Sequence, residues 1–226
     1  MIRAVVFDLW NTLVRSQQGS PFRRIHPLVR PDRAERLDDF MLDSMLRPYP
    51  DSASFLEAWR GQLALDEQQF QAARKVFAEA ATDAELFPGT LEVLDRTRGL
   101  ARTALLSNTQ SFDMQLMEEL GLAERLHIRF LSAEIGALKP DAKAFQSVQD
   151  RLGLFPGQIA MVGDSWRDDM SGALEAGWTA IWVNRGGDPI PAVGPEAEVV
   201  EIPDLRPVPD IIRRLQEGAR CATCLG

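Results

Sequence analysis

Asp8 stands in the run Val5-Val6-Phe7-Asp8-Leu9-Trp10-Asn11-Thr12-Leu13. The apolar residues ahead of it read as a buried strand that delivers one carboxylate into a turn, and a carboxylate so placed is a candidate nucleophile. Three more clusters carry chemistry. Leu105-Leu106-Ser107-Asn108-Thr109 puts hydroxyl and amide groups after a strand, Leu138-Lys139-Pro140 puts one lysine ahead of a helix, and Val162-Gly163-Asp164-Ser165-Trp166-Arg167-Asp168-Asp169 is an acidic loop. Singly, each has an ordinary explanation as a turn former, a cap or a surface pair. Jointly they fall at the same edge of one predicted sheet, and ligands bind at the carboxyl ends of strands in an open parallel sheet.

The elements that must position these groups are short apolar runs separated by helical patterns, the arrangement of a parallel sheet covered by helices. Strands are predicted at Ala4–Phe7, Thr103–Leu106, Ile128–Leu131, Ile159–Val162, Ala180–Val183 and, more weakly, Glu198–Ile202. Helices are predicted at Thr90–Thr97, Phe112–Leu120, Ala142–Leu152 and Met170–Ala176. Between Arg15 and Phe87 the rhythm breaks. A polar, proline-containing stretch leads into helical patterns at Asp32–Leu46, Ser52–Leu65 and Asp66–Ala81, with Asp32 and Asp66 as N-caps and no strand signal. The fold class is therefore α/β, a Rossmann-like three-layer core (residues 1–14 and 88–226) with an inserted all-helical cap (residues 15–87).

Together the four clusters resemble the motifs of the haloacid dehalogenase superfamily: an aspartate nucleophile, a Ser/Thr, a Lys and an acidic loop, with a cap inserted after the first motif. Leu86-Phe87-Pro88-Gly89 and Gly172-Ala173 with Ala176-Gly177 extend the likeness over nearly the whole chain. The resemblance implies roles residue by residue. Asp8 attacks the substrate and forms an aspartyl intermediate that water later cleaves. Lys139 supplies fixed positive charge, keeping Asp8 ionised and offsetting charge on a transferring phosphoryl group. Ser107, with Asn108 through backbone or side chain, and Thr12 serve the phosphoryl group. Asp8, Asp164 and Asp169, with the Trp10 carbonyl, bind Mg²⁺ through oxygen ligands. Arg23, Arg24 and His26 near the start of the cap are within reach of an anionic tail, although surface placement is the ordinary state of such residues.

Trp10 departs from the family's phosphatase pattern, in which an aspartate there protonates the leaving alcohol and then activates water. Indole donates a hydrogen bond but does not act as an acid at neutral pH, and general acid–base help is worth ~10²–10⁴-fold. Three readings follow. The first is a Mg²⁺-dependent phosphatase acting on a small phosphorylated metabolite, slowed by the missing acid or served by a good leaving group. The second is a catalytically impaired relative that binds a phosphometabolite or a protein. The third is a metal-independent 2-haloacid dehalogenase, whose departing halide needs no proton. The carboxylate pair Asp164 and Asp169 favours the first, because a metal-free site would only suffer repulsion from it. A phosphonatase would need a cap lysine, and the insert offers only Lys75.

Composition sets outer bounds. The 226 residues are 45% hydrophobic and 26% charged, ordinary for a globular chain, with a net charge of −8 that disfavours nucleic acid or an anionic membrane as partner. No apolar run approaches the ~20 residues of a membrane span, so the expected compartment is the cytoplasm and the expected assembly a monomer or homodimer. The two cysteines, Cys221 and Cys224, form a lone C-x-x-C near the end of the chain, read as tail and not as a zinc or redox site.

Overall fold

The computed structural model describes residues 1–192, 194 and 199–223, the last five of these as backbone only. Among the described residues there are eight strands: β1 (Ala4–Phe7), β2 (Val14–Ser16), β3 (Ala84–Leu86), β4 (Arg102–Ser107), β5 (Ile128–Leu131), β6 (Ile159–Gly163), β7 (Thr179–Val183) and β8 (Val199–Ile202). The helices are α1 (Pro21–Arg24), α2 (Arg36–Leu46), α3 (Ser52–Trp59), α4 (Glu67–Ala80), α5 (Thr90–Arg98), α6 (Leu116–Glu119), α7 (Ser132–Ile135), α8 (Ala142–Leu152), α9 (Ser171–Glu175) and α10 (Val208–Thr223). Six strands form one parallel sheet in the order β5-β4-β1-β6-β7-β8.

β1 shows why the strands read as continuous apolar runs. Ala4 and Val6 enter a core on one face, with Phe145 and Val148 of α8. Val5 and Phe7 enter a core on the other, with Val93 of α5 and Ile212 of α10. Because helices cover both faces, no position of the strand is left for a polar residue. α8 illustrates the covering helices. The Asp141 side chain accepts from the Lys143 N–H, Gly153 ends the helix at φ 63°, and Ala144, Phe145, Val148 and Leu152 form its buried stripe. The chain crosses to one side of β1 for β4 and β5, then returns to the other side for β6. The switch point thus falls at the carboxyl end of β1, where Asp8 follows the strand.

Residues from α1 to α4 pack around a separate aromatic core of Phe40, Phe55, Trp59, Phe70 and Phe77. α4 is opened by a capping box in which Asp66 accepts from the Gln69 N–H at 2.8 Å and the Gln69 side chain accepts from the Asp66 N–H at 2.9 Å. Asp32 does not cap as its sequence context suggests. It lies in a 3-10 turn, paired with Arg30, and α2 begins later, at Arg36. Two strands also appear where the sequence gives no strand signal: β2 and β3 pair antiparallel at the root of the insert, Val14 opposite Leu86. Three-residue strands are too short for period-two alternation to register in a sequence.

The helix predicted over Phe112–Leu120 is reduced to Leu116–Glu119. The cause is tertiary. Phe112 is only 2% exposed and stacks on Phe55 of the insert at 5.4 Å, while the Ser111 hydroxyl accepts from the Tyr49 N–H at 3.1 Å and donates to the Tyr49 carbonyl at 3.3 Å. Asp113 then takes a left-handed φ of 56°, which stops a helix from starting earlier. Glu198 and Cys224 lie outside the described residues. No helix among the described residues is long and apolar enough to cross a membrane.

Phe112 therefore belongs to the core of the insert although the loop after β4 carries it. Phe112→Ala is expected to lower stability by about 3–5 kcal/mol, read from denaturant unfolding. A loss below about 1 kcal/mol would remove Phe112 from that core.

Candidate active site

Lys139 is the centre of the site. Its ammonium donates to Asp8 Oδ1 at 2.7 Å and to Asp169 Oδ1 at 2.5 Å, and all three side chains are buried. Burial works against the lysine's charge, but the carboxylates of Asp169 and Asp8 outweigh it and hold the ammonium well above the ordinary lysine range. Three elements from distant parts of the sequence meet here: the turn after β1, the segment leading into α8, and the loop after β6.

Lys139 is aimed by its backbone. The Asn108 amide donates to the Lys139 carbonyl at 2.9 Å and accepts from the Lys139 N–H at 2.7 Å. The Asn108 amide is thereby engaged by the lysine segment, while its backbone N–H is not part of that contact. Thr12 is likewise engaged. Its hydroxyl donates to Asp164 Oδ1 at 3.1 Å and accepts from the Asp164 N–H at 3.1 Å, so it fixes the acidic loop against the first turn. Ser107 differs: its hydroxyl is buried and hydrogen-bonds nothing among the described residues.

The acidic loop folds as a π-helical turn, Trp166–Met170, running into α9. Asp169 spends one oxygen on Lys139 and accepts the Ser165 N–H on the other at 3.0 Å. A Cβ on Gly163 would lie 2.2 Å from Asp169 Oδ2, so only glycine leaves room for this carboxylate. Burial, opposed by the Lys139 charge, pushes the Asp169 carboxyl up; burial and then the Asp8 charge push Asp164 up to about 6. Oxygens of Asp8, Asp164 and Asp169 lie within 4.8 Å of one another. When all are ionised, three carboxylates face one ammonium, an excess of two negative charges that suits a divalent cation bound by hard oxygen donors.

Trp10 is half-buried, and its indole N–H donates to the Thr109 hydroxyl at 3.2 Å, which donates in turn to Gln110 Oε1 at 3.0 Å. That chain ends on an amide and so offers no acid. Trp10, Asn11, Asn108 and Thr109 also form the floor of a cavity of about 650 Å³ whose far wall comes from α1, α2 and α4. Arg23 and Arg24 line it; His26 is exposed and does not.

Several supporting residues escaped the sequence reading. Arg185, after β7, donates to the Thr12 carbonyl at 3.0 Å and to the Asn11 carbonyl, holding the first turn while its guanidinium stacks 3.7 Å from the centre of the Phe87 ring. The Trp182 indole donates to the Asp164 carbonyl at 2.9 Å. Ser132, after β5, accepts from the Thr109 N–H at 2.9 Å and donates to its carbonyl at 3.1 Å. Only their positions at strand ends could have flagged them.

A family model described as haloacid dehalogenase-like hydrolase matches residues 2–177. A phosphoserine phosphatase of Thermus thermophilus is 37% identical over 111 residues, covering 49% of this chain and 42% of that protein. The chain thus spans less than half the length of that relative. A phosphoglycolate phosphatase of Shigella boydii is 26% identical over 91% of this chain and 92% of its own. Among solved structures, a 2-haloacid dehalogenase from Pseudomonas syringae superposes with a TM-score of 0.71 at 23% identity, covering 95% of this chain and 99% of its own, a likeness of fold.

Gly163→Ala tests the packing of the acidic loop. It is expected to cost about 1–3 kcal/mol by overpacking and to turn Asp169 away from Lys139, read by chemical denaturation and a crystal structure of the variant. An unchanged Lys139–Asp169 contact would show that the loop yields elsewhere.

Proposed function

The chain belongs to the haloacid dehalogenase-like hydrolases, and from that premise we propose that it is a Mg²⁺-dependent phosphatase acting on a small phosphorylated metabolite through an aspartyl-phosphate. The observation that carries this reading is the buried excess of negative charge around Asp8. A nucleophile flanked by two further carboxylates and only one ammonium is suited to a cation and to an anionic substrate that the cation helps to bind. A halide-displacing site has no use for Asp164.

In this reading Asp8 uses the carboxylate oxygen not bonded to Lys139. That oxygen forms a bond to phosphorus while the ester oxygen departs with the bond's electron pair; water then attacks the acyl-phosphate and releases phosphate and Asp8. Lys139 stays charged throughout and offsets negative charge on the phosphoryl oxygens. Ser107 offers its unpartnered buried hydroxyl to one of those oxygens, which would satisfy a group otherwise costly to bury. Asp8, Asp164 and the Trp10 carbonyl would hold Mg²⁺, which would supply Lewis-acid stabilisation of phosphoryl charge. Asp169, with both oxygens engaged by Lys139 and Ser165, acts by holding the lysine and bordering the cation site.

Trp10 favours the dehalogenase as a second reading, because neither its indole nor the hydrogen-bond chain behind it can deliver a proton. The same observation fits a phosphatase whose leaving group departs unaided. Relatives named as phosphoserine and phosphoglycolate phosphatases support the phosphoryl reading.

Three assays separate these outcomes. p-Nitrophenyl phosphate and acetyl phosphate are expected to be hydrolysed with Mg²⁺ and not with chelator, and Asp8→Asn to lose at least 10³-fold, an order-of-magnitude figure for removal of a covalent nucleophile. Dechlorination of 2-chloropropionate without metal would replace this reading with the dehalogenase; binding of phosphate and metal without turnover would leave a binding protein. Trp10→Asp is expected to raise turnover of alkyl phosphates on the order of 10²-fold, the lower range of general acid–base assistance. No gain would mean that another group already supplies the proton.

A further inference from the structure

The cavity over Trp10 carries a charge pattern that the phosphoryl chemistry does not use. Arg23 and Arg24, on the one-turn helix α1, line its wall. Arg23 has no hydrogen-bond or ion-pair partner for its side chain among the described residues. Arg24 gives Nη2 to Glu79 at 2.5 Å, while its Nη1 is buried and finds no partner. A buried guanidinium nitrogen without an acceptor is unfavourable, and the planar fork of arginine is built to meet a carboxylate or phosphate with two parallel hydrogen bonds. The one acidic residue among the cavity's lining residues is Asp113, whose carboxyl is pushed up by burial. Met41, Met45, Leu116 and Trp10 give the cavity its apolar lining.

On the phosphatase reading above, we infer that the substrate is a phosphomonoester whose leaving group carries a second anionic group, with an apolar or aromatic body spanning the cavity and the distal anion taken by Arg23 and Arg24. Asp8 does not itself line the cavity, so on this scheme the phosphoryl end reaches it past the lining residues Trp10 and Asn108, and the distal end faces α1. The size of the cavity, about 650 Å³, falls in the range of small-molecule sites. The methionines accommodate the body through adaptable apolar contact, and the indole takes the place of a polar side chain at the floor. Specificity on this scheme comes from the insert, and the chemistry from the sheet edge.

A matched pair of substrates tests this: 4-carboxyphenyl phosphate and the phosphate of methyl 4-hydroxybenzoate, which differ in one distal charge. The ester is the better leaving group, so intrinsic reactivity runs against the expected order. The carboxylate is expected to have the higher kcat/KM by on the order of tenfold or more, the worth of a charge-assisted hydrogen bond, chiefly through KM. Arg23→Gln, or the Arg23→Gln/Arg24→Gln double variant, is expected to erase the preference, and Arg23→Lys to keep part of it. Equal kcat/KM values for the pair in the wild-type protein, or a preference that survives the double variant, would overturn the inference. Failure to hydrolyse either compound would sink the phosphatase reading instead. Calorimetry with 4-carboxybenzylphosphonate and its methyl ester reads the same preference without turnover.

Discussion

Lys139 is held, largely buried, between Asp8 and Asp169, and the arrangement of the catalytic edge follows from satisfying that buried cation. An ammonium removed from water needs carboxylates at hydrogen-bond distance, and carboxylates removed from water need the ammonium. Each partner must then be fixed by something else. Asn108 spans the lysine's own peptide groups, Ser165 takes the second oxygen of Asp169, and Gly163 leaves the space in which Asp169 turns inward. Thr12 ties the first turn to the acidic loop, and Arg185 ties that turn to the end of β7. The site is thus a closed set of mutual constraints spread over four strand ends.

The same loop that supplies Ser107 and Asn108 also supplies Phe112, which is part of the aromatic core of the insert. The loop that aims Lys139 and the insert are therefore mechanically joined. Displacing the insert by more than a small adjustment would pull Phe112 from its stack on Phe55 or move the loop that aims Lys139. Trp10 borders both regions, bonded to Thr109 on one side and flooring the cavity on the other.

Much of the site was legible because its signals are local. Asp8, Ser107, Lys139 and Asp164 each follow or precede an element whose hydrophobic pattern is strong. Arg185, Trp182 and Ser132 were not legible, because an arginine, a tryptophan or a serine near a strand end has no distinctive pattern until the strand order places it beside another loop. The hydrogen bonds of Asn108 to Lys139 and of Thr12 to Asp164 were not legible either: side-chain amide and hydroxyl groups bond whatever the fold brings within about 3 Å, and the sequence holds no record of that distance. β2 and β3 were missed for want of length, and the shortened α6 because the burial of Phe112 in another core overrode local helical preference.

The sequence by itself determined the six strands of the parallel sheet, the covering helices α5, α8 and α9 and the order of the four reactive clusters, since these rest on periodicity and on residue type over short spans; α10, which covers the face formed by Val5 and Phe7, was not read from it. Tertiary structure alone decided which carboxylate holds the lysine, which hydroxyl stays unpartnered, and that Arg23 and Arg24 face the cavity over Trp10. The physical reason is range. Backbone propensity and amphipathic patterning act over a few residues, whereas the Lys139–Asp8 contact joins positions 131 residues apart, brought together by the crossing of the chain from one side of β1 to the other.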